Sequence, residues 1–200
     1  MTIKLIYKSL LITFLITVAA GCNKSESKNN LSKNDTPLKV SAPNNSTESI
    51  KNNTISQNVN HADEEGLLFM WEEEKLARDI YTNMYDRYGK EIFLKISKSE
   101  QQHMDAVKRQ LDIKSLSTPV NPKSIGTFKN PELAKLYTEL IARGNISLGD
   151  AYRVGLDIEL KDIEDLVQRM EATNDPAIKK VYQYLINGSN NHKAAFEKKL

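Results

Sequence analysis

Residues 99–107 read Ser-Glu-Gln-Gln-His-Met-Asp-Ala-Val, and the pair Glu100 and His103 within them decides how the rest of the chain is read. Around this pair Phe93, Ile96, Val107 and Leu111 recur at steps of three and four, the period at which a helix turns one face to a core. Lys95, Lys98, Gln102, Asp105 and Arg109 occupy the rest of the wheel. The face that must be buried therefore carries a carboxylate and an imidazole one turn apart, where positions i and i+3 are neighbours. Both are costly in a dry core unless they are paired or bound to a cation.

The same interruption recurs in three further stripes. A first helix is predicted over residues 63–88, with Leu67, Met70, Glu74, Ala77, Tyr81, Met84 and Tyr88 on one face. Gly89 follows it, the residue that most readily takes the left-handed conformation closing a helix. Over residues 147–172 one side holds Leu148, Tyr152, Gly155, Glu159, Asp162, Leu166 and Met170. After Asp175 and Pro176 a last helix aligns Ile178, Tyr182, Leu185, Ser189, His192 and Phe196. Glu74, Glu159 and His192 thus stand where apolar residues belong, and the coinciding interruptions predict a metal site inside a helical bundle. Glu73 takes the place of Glu74 if the helical phase moves by one residue. Glu72 reads as a solvated acid and His61 as a solvent-exposed side chain outside any stripe.

The chain shows no strand-like alternation, no Gly-rich phosphate loop and no internal repeat, so the expected class is all-α. The second helix is predicted over residues 91–111. The connection over 112–146 contains a short helix that Asn130 can cap, with Pro131 at its first position and Gly144 at its end. A connection of that length is too long for a tight antiparallel turn. It predicts a four-helix bundle with one long crossover between the second and third helices.

The first third of the chain reads differently. Residues 1–21 place Lys4 and Lys8 ahead of an apolar run over 10–20, the layout of a secretory signal. The run is short for a membrane span, which takes about 20 apolar residues. It ends in Ala19-Ala20-Gly21-Cys22, which resembles a bacterial lipobox with Ala where Leu is commoner. That resemblance implies cleavage before Cys22, diacylglycerol on its sulfur and an extracytoplasmic, membrane-anchored lipoprotein, since two or more acyl chains anchor stably. Cys22 is the only cysteine, so no intrachain disulfide can form. Residues 22–62, rich in Asn, Ser, Lys and Thr, read as a disordered tether, which leaves 63–200 as the folded domain. Residues 1–60 hold 7 basic and 3 acidic side chains and residues 61–200 hold 21 and 23, with the two signs interspersed. A nucleic-acid partner would call for a basic stripe, and none is present.

Di-metal helical bundles take one Glu from each of two helices and a Glu-x-x-His pair from each of the other two. Here Glu74 and Glu159 supply single carboxylates and Glu100 with His103 supplies one complete pair. His192 stands in the second pair, but the residue three before it is Ser189 rather than Glu. Asp162, one turn after Glu159, is expected to restore a carboxylate. On these residues the chain resembles the ferritin-like di-iron proteins, the rubrerythrins in particular. Glu74-x-x-Ala77-x-x-x-Tyr81 resembles their first-helix motif, Glu100-x-x-His103 their second, Glu159-x-x-Asp162 their third-helix carboxylate pair and His192-x-x-x-Phe196 the end of their fourth. The wording at 73–79, 99–107 and 188–192 resembles an uncharacterised bacterial and archaeal family, domain of unknown function 2202, over about residues 63–200.

The resemblance implies a ferritin-like four-helix fold and a centre of two Fe ions, with Mn or Zn as alternatives, on Glu74, Glu100, His103, Glu159, Asp162 and His192. It implies no particular activity. Three functions stay open on the sequence. One is a redox enzyme of oxidase or peroxidase type; it would draw on an external electron donor, because complete rubrerythrins add a cysteine-ligated iron domain and this chain has no spare cysteine. The second is a surface lipoprotein that binds Fe, Mn or Zn without turnover. The third is a metal-free structural bundle whose buried polar residues pair with one another.

Overall fold

The computed structural model describes the backbone from Ser46 and the side chains from His61 to Leu200. The expected signal over 1–21, Cys22 with its lipidation, and the tether before residue 46 lie outside the described residues. Five helices follow one another: α1 (Ser46–Tyr88), α2 (Glu91–Ile113), α3 (Pro131–Gly144), α4 (Leu148–Ala172) and α5 (Pro176–Glu197). No strand occurs among the described residues, so the class is all-α. α3 is the short helix of the crossover, and α4 and α5 are the third and fourth long helices. α1 begins at Ser46 rather than near Asp63, so residues 46–62, expected in the tether, are helical. Extending a nucleated helix costs little per residue, and no Gly or Pro stands between 46 and 62 to stop it.

Local chemistry sets the helix ends. The Asn130 side chain accepts the N–H groups of Glu132 and Leu133, Ser147 accepts that of Asp150, and Asp175 accepts those of Ala177 and Ile178. Each cap satisfies donors that the first turn leaves open and stabilises its helix by about 1 kcal/mol. Gly89 sits at φ 61°, so any other residue there would strain the turn into α2.

The short links after α1 and α4 fold each helix pair back antiparallel. α1 packs on α2 and α4, and α5 packs on the same two, which puts the four long helices at the corners of a square. α2 ends beside the start of α5, where Lys114 pairs with Asp175 at 3.5 Å. α4 begins at the opposite end, where the Tyr88 hydroxyl donates to the Gly144 carbonyl at 2.8 Å. The chain between them must travel the length of the bundle, and this is why the crossover is long.

Charged residues of α1 hold that crossover. Lys75 Nζ donates to the Ser124 carbonyl at 2.7 Å and to Asp79 at 2.6 Å, and Asp79 accepts the Gly126 N–H at 3.0 Å. Lys75 and Asp79 are both 0% exposed. Glu72 accepts the N–H groups of Lys129 and Asn130. Glu72 is therefore not the solvated acid the sequence suggests: it is 3% exposed, because the crossover covers it and brings two backbone donors to its carboxylate.

The buried apolar side chains fall into two clusters. One gathers Ile80, Tyr81, Met84, Phe93, Val154 and Phe196; the other gathers Met70, Trp71, Met104, Val107, Leu166, Tyr182 and Leu185. On all four long helices a polar layer stands between them in sequence: Glu74, Glu100 and His103, Glu159 and Asp162, and Ser189 and His192, every one buried.

Candidate metal centre

This layer gathers two groups of three ligand atoms that each lie within 4.8 Å of one another. Glu74, Glu100 and His103 form one, and Glu100, Glu159 and His192 form the other, so Glu100 belongs to both. Each group therefore offers two carboxylates and one imidazole around a shared Glu. The two imidazole rings lie 5.5 Å apart between centroids. His103 Nδ1 approaches Glu100 Oε2 at 2.8 Å and Glu74 Oε2 at 3.1 Å. His192 Nδ1 approaches Glu100 Oε1 at 2.9 Å and Glu159 Oε2 at 3.4 Å.

Of these contacts only that of His103 Nδ1 with Glu74 Oε2 has hydrogen-bond geometry. Although His192 Nδ1 and Glu100 Oε1 are close, they are not aligned, and both are buried without a hydrogen-bond partner, as is Glu74 Oε1. Each unsatisfied buried polar atom costs about 1–3 kcal/mol, more where it is charged. Several of them converging on one space is the arrangement a cation would relieve, so the residues present fit a metal. The donor types agree: carboxylate and imidazole together suit Fe, Mn or Zn.

Electrostatics point the same way. Burial pushes Glu74 up to about 7 against the pull of His103. Burial and the charge of Glu100 push Glu159 up to about 8. Burial also raises Glu100, but its short contacts with His103 and His192 draw it down to about 2. Burial would lower both imidazoles, yet Glu74 and Glu100 lift His103 to about 12 and Glu100 and Glu159 lift His192 to about 10. Without a cation the cluster is held together by protons, which a metal must displace.

Of the expected ligands, Asp162 does not join either group. Its Oδ2 accepts the Ser189 hydroxyl at 2.6 Å, while Oδ1 is buried without a partner. An Asp is one methylene shorter than a Glu, and here it reaches the neighbouring α5 rather than the shared space. Ser189, whose Oγ also lies 2.9 Å from the Leu185 carbonyl oxygen, thus holds this acid to one side. Glu73, the alternative to Glu74, is buried outside both groups. Burial and then Asp165 hold its carboxyl well above the usual range.

Several side chains that the sequence left as core or unremarked support the centre. The Tyr81 hydroxyl donates to Glu159 Oε1 at 2.6 Å, and Ser99 Oγ meets His192 Nε2 at 2.9 Å. Gly188 abuts the other imidazole: a Cβ there would lie 2.3 Å from His103 Nε2. The spacing of Tyr81 from Glu74, two turns along one stripe, was a usable signal for its place beside the centre. Nothing in the spacing of Ser99 or Gly188 distinguishes them from ordinary helix residues.

Residues 63–200 match the family described as Uncharacterized protein domain (DUF2202). Uncharacterized protein MJ0754 of Methanocaldococcus jannaschii is 44% identical over 144 residues, 72% of this chain and 78% of that protein. The crystal structure of hypothetical protein MJ0754 from Methanococcus jannaschii DSM 2661 is similar with a TM-score of 0.65 at 47% identity, over 66% of this chain and 76% of that one. A match over residues 63–200, together with this relative, shows that the chain belongs to the DUF2202 family.

Proposed function

We propose that the domain is a ferritin-like metal-binding bundle that holds two ions, iron in the first place and Mn or Zn as alternatives. Glu74, Glu100 and His103 hold one ion, Glu100, Glu159 and His192 hold the other, and Glu100 is common to both. The observation that carries this is the pair of three-residue donor groups sharing Glu100, with buried Glu100 Oε1, Glu74 Oε1 and His192 Nδ1 left without partners. The choice of iron rests on the resemblance to ferritin-like di-iron proteins. A bound metal pair would supply redox chemistry of oxidase or peroxidase type, with electrons from an external donor. The chain's part is to fix the ligand positions: Tyr81 steadies Glu159, and Ser99 steadies His192. The lipobox-like run ending at Cys22 supports a membrane-anchored, extracytoplasmic location.

Anaerobic loading with Fe(II), followed by metal analysis and an optical spectrum, tests the reading. The parent is expected to hold about two irons per chain, Glu100→Ala almost none, and His103→Ala and His192→Ala intermediate amounts. Equal iron in the parent and all three variants rejects the site. Direct loading matters, because intrinsic affinities favour Zn and Cu over Fe and bias what a protein carries after expression.

A further inference from the structure

Away from the polar layer, a groove of about 420 Å3 opens between α1, α4 and the crossover. Leu68, Phe69 and Pro119 form its apolar wall, and Glu65, Glu72, Lys129, Asn130 and Arg169 its polar lining. Its volume falls in the range of small-molecule sites, which run from about 300 to 1,000 Å3. The unusual member is Arg169. Its guanidinium lies 4.2 Å over the Phe69 ring, and its Nε is buried without a hydrogen-bond partner. No carboxylate among the described residues pairs with it, although a guanidinium carries five donors suited to a planar oxyanion.

The acids nearby are otherwise engaged or out of reach. Glu72 accepts the Lys129 and Asn130 N–H groups, and Glu65 pairs with His61 at 3.2 Å. Asp63, whose charge reaches Tyr182, makes no ion pair with Arg169. The two carboxylates and two cations of the groove balance in formal charge, and Arg169 stands among them with no ion pair among the described residues, beside an aliphatic and aromatic wall.

We propose that this groove binds a small organic oxyanion, a carboxylate or phosphate ester on an apolar body, with Arg169 taking the anionic group and Leu68, Phe69 and Pro119 taking the body. The Phe69 ring covers one face of the guanidinium. Glu72 ties the crossover to α1 at this wall, so a ligand here would bridge α1, α4 and the crossover. The proposal is independent of the metal centre.

Fluorescence titration of the full chain with 1-naphthoate, 1-naphthyl phosphate and the uncharged 2-naphthol tests it. At least one of the two anions is expected to bind, the arm that binds more tightly naming the anionic group, with 2-naphthol at least roughly tenfold weaker, as a charge-assisted hydrogen bond requires. Arg169→Gln is expected to remove that advantage, and Arg169→Lys to keep part of it. In the unsubstituted protein the Arg169 Nε–H resonance should move on addition of the binding anion, a readout that does not depend on the variants folding. No binding by either anion, equal binding of 2-naphthol, or an unmoved Nε–H resonance at saturating anion would each overturn the proposal.

Discussion

At the scale of single residues, the two imidazoles are placed by different means. His192 is tied through Nε2 to Ser99, which fixes the ring so that Nδ1 faces Glu100 and Glu159. His103 is placed by the lack of a side chain at Gly188. Gly188→Ala would put a methyl 2.3 Å from His103 Nε2, so the ring must move. The expected outcome is loss of the ion on Glu74, Glu100 and His103 with retention of the other, read as halved iron content at an unchanged helical spectrum. Ser99→Ala is expected to weaken the His192 ion by about 10–100-fold, the usual cost of losing a partner that orients a metal ligand. Ser99→Thr keeps the hydroxyl and should restore most of that affinity; competition with a chelator of known strength measures all three proteins.

At the scale of elements, the crossover is fastened to α1 by groups that have no access to water. Lys75 and Asp79 pair at 2.6 Å with both side chains fully buried, and both also hold crossover backbone atoms. Removing one member of such a pair leaves an uncompensated charge, which costs about 3–5 kcal/mol. Asp79→Ala is therefore expected to lower unfolding stability by about that amount, where Lys108→Ala, whose ion pair with Asp112 is half exposed, should change it by under about 1 kcal/mol. Chemical denaturation compares the two. Hydrogen exchange should locate the Asp79 effect at Ser124 to Asn130, the stretch held by Asp79, Lys75 and Glu72, and equal protection there in parent and variant would remove this account of the fastening.

At the scale of the whole molecule, stability and metal binding should respond to pH in opposite directions. Glu74 and Glu159 are raised to about 7 and 8 from ordinary values of 4.5, and His192 and His103 to about 10 and 12 from 6.5. The folded metal-free state thus binds more protons than the unfolded one, and stability falls wherever that holds. The contribution of Glu74 and Glu159 is full below pH 4.5 and lost as pH rises through 7 and 8; that of the imidazoles is full below 6.5 and lost toward 10 and 12. Glu100, lowered to about 2, works the other way only below its ordinary 4.5. Metal-free protein should therefore melt progressively lower from pH 5 to pH 8, while the increase in melting temperature on adding Fe(II) should grow, because the ion displaces those protons. An increment that is flat with pH would mean that the protonated groups are not the ligands. Fractionation addresses the other end of the chain: Cys22→Ala is expected to leave the membrane fraction or remain as uncleaved precursor, and a variant that stays membrane-bound at mature size would rule out the lipid anchor.

Periodicity and capping were sufficient for the helices apart from the start of α1. Stripes at steps of three and four gave the faces of all four long helices, and Asn130, Ser147 and Asp175 marked three starts, because these are local properties of a chain whose apolar face must be buried. The start of α1 was not legible, since a polar segment can continue a helix without showing an apolar stripe. The sequence also picked out Glu74, Glu100, His103, Glu159 and His192 as buried polar residues on four faces. Only the tertiary structure decided that Glu100 is shared, that Asp162 turns to Ser189, that Ser99 and Gly188 place the two imidazoles, and that Glu72 lies beneath the crossover. The reason is geometric: helical phase names the face a side chain leaves from, whereas its partner depends on which helices the crossover brings together and at what height each is set.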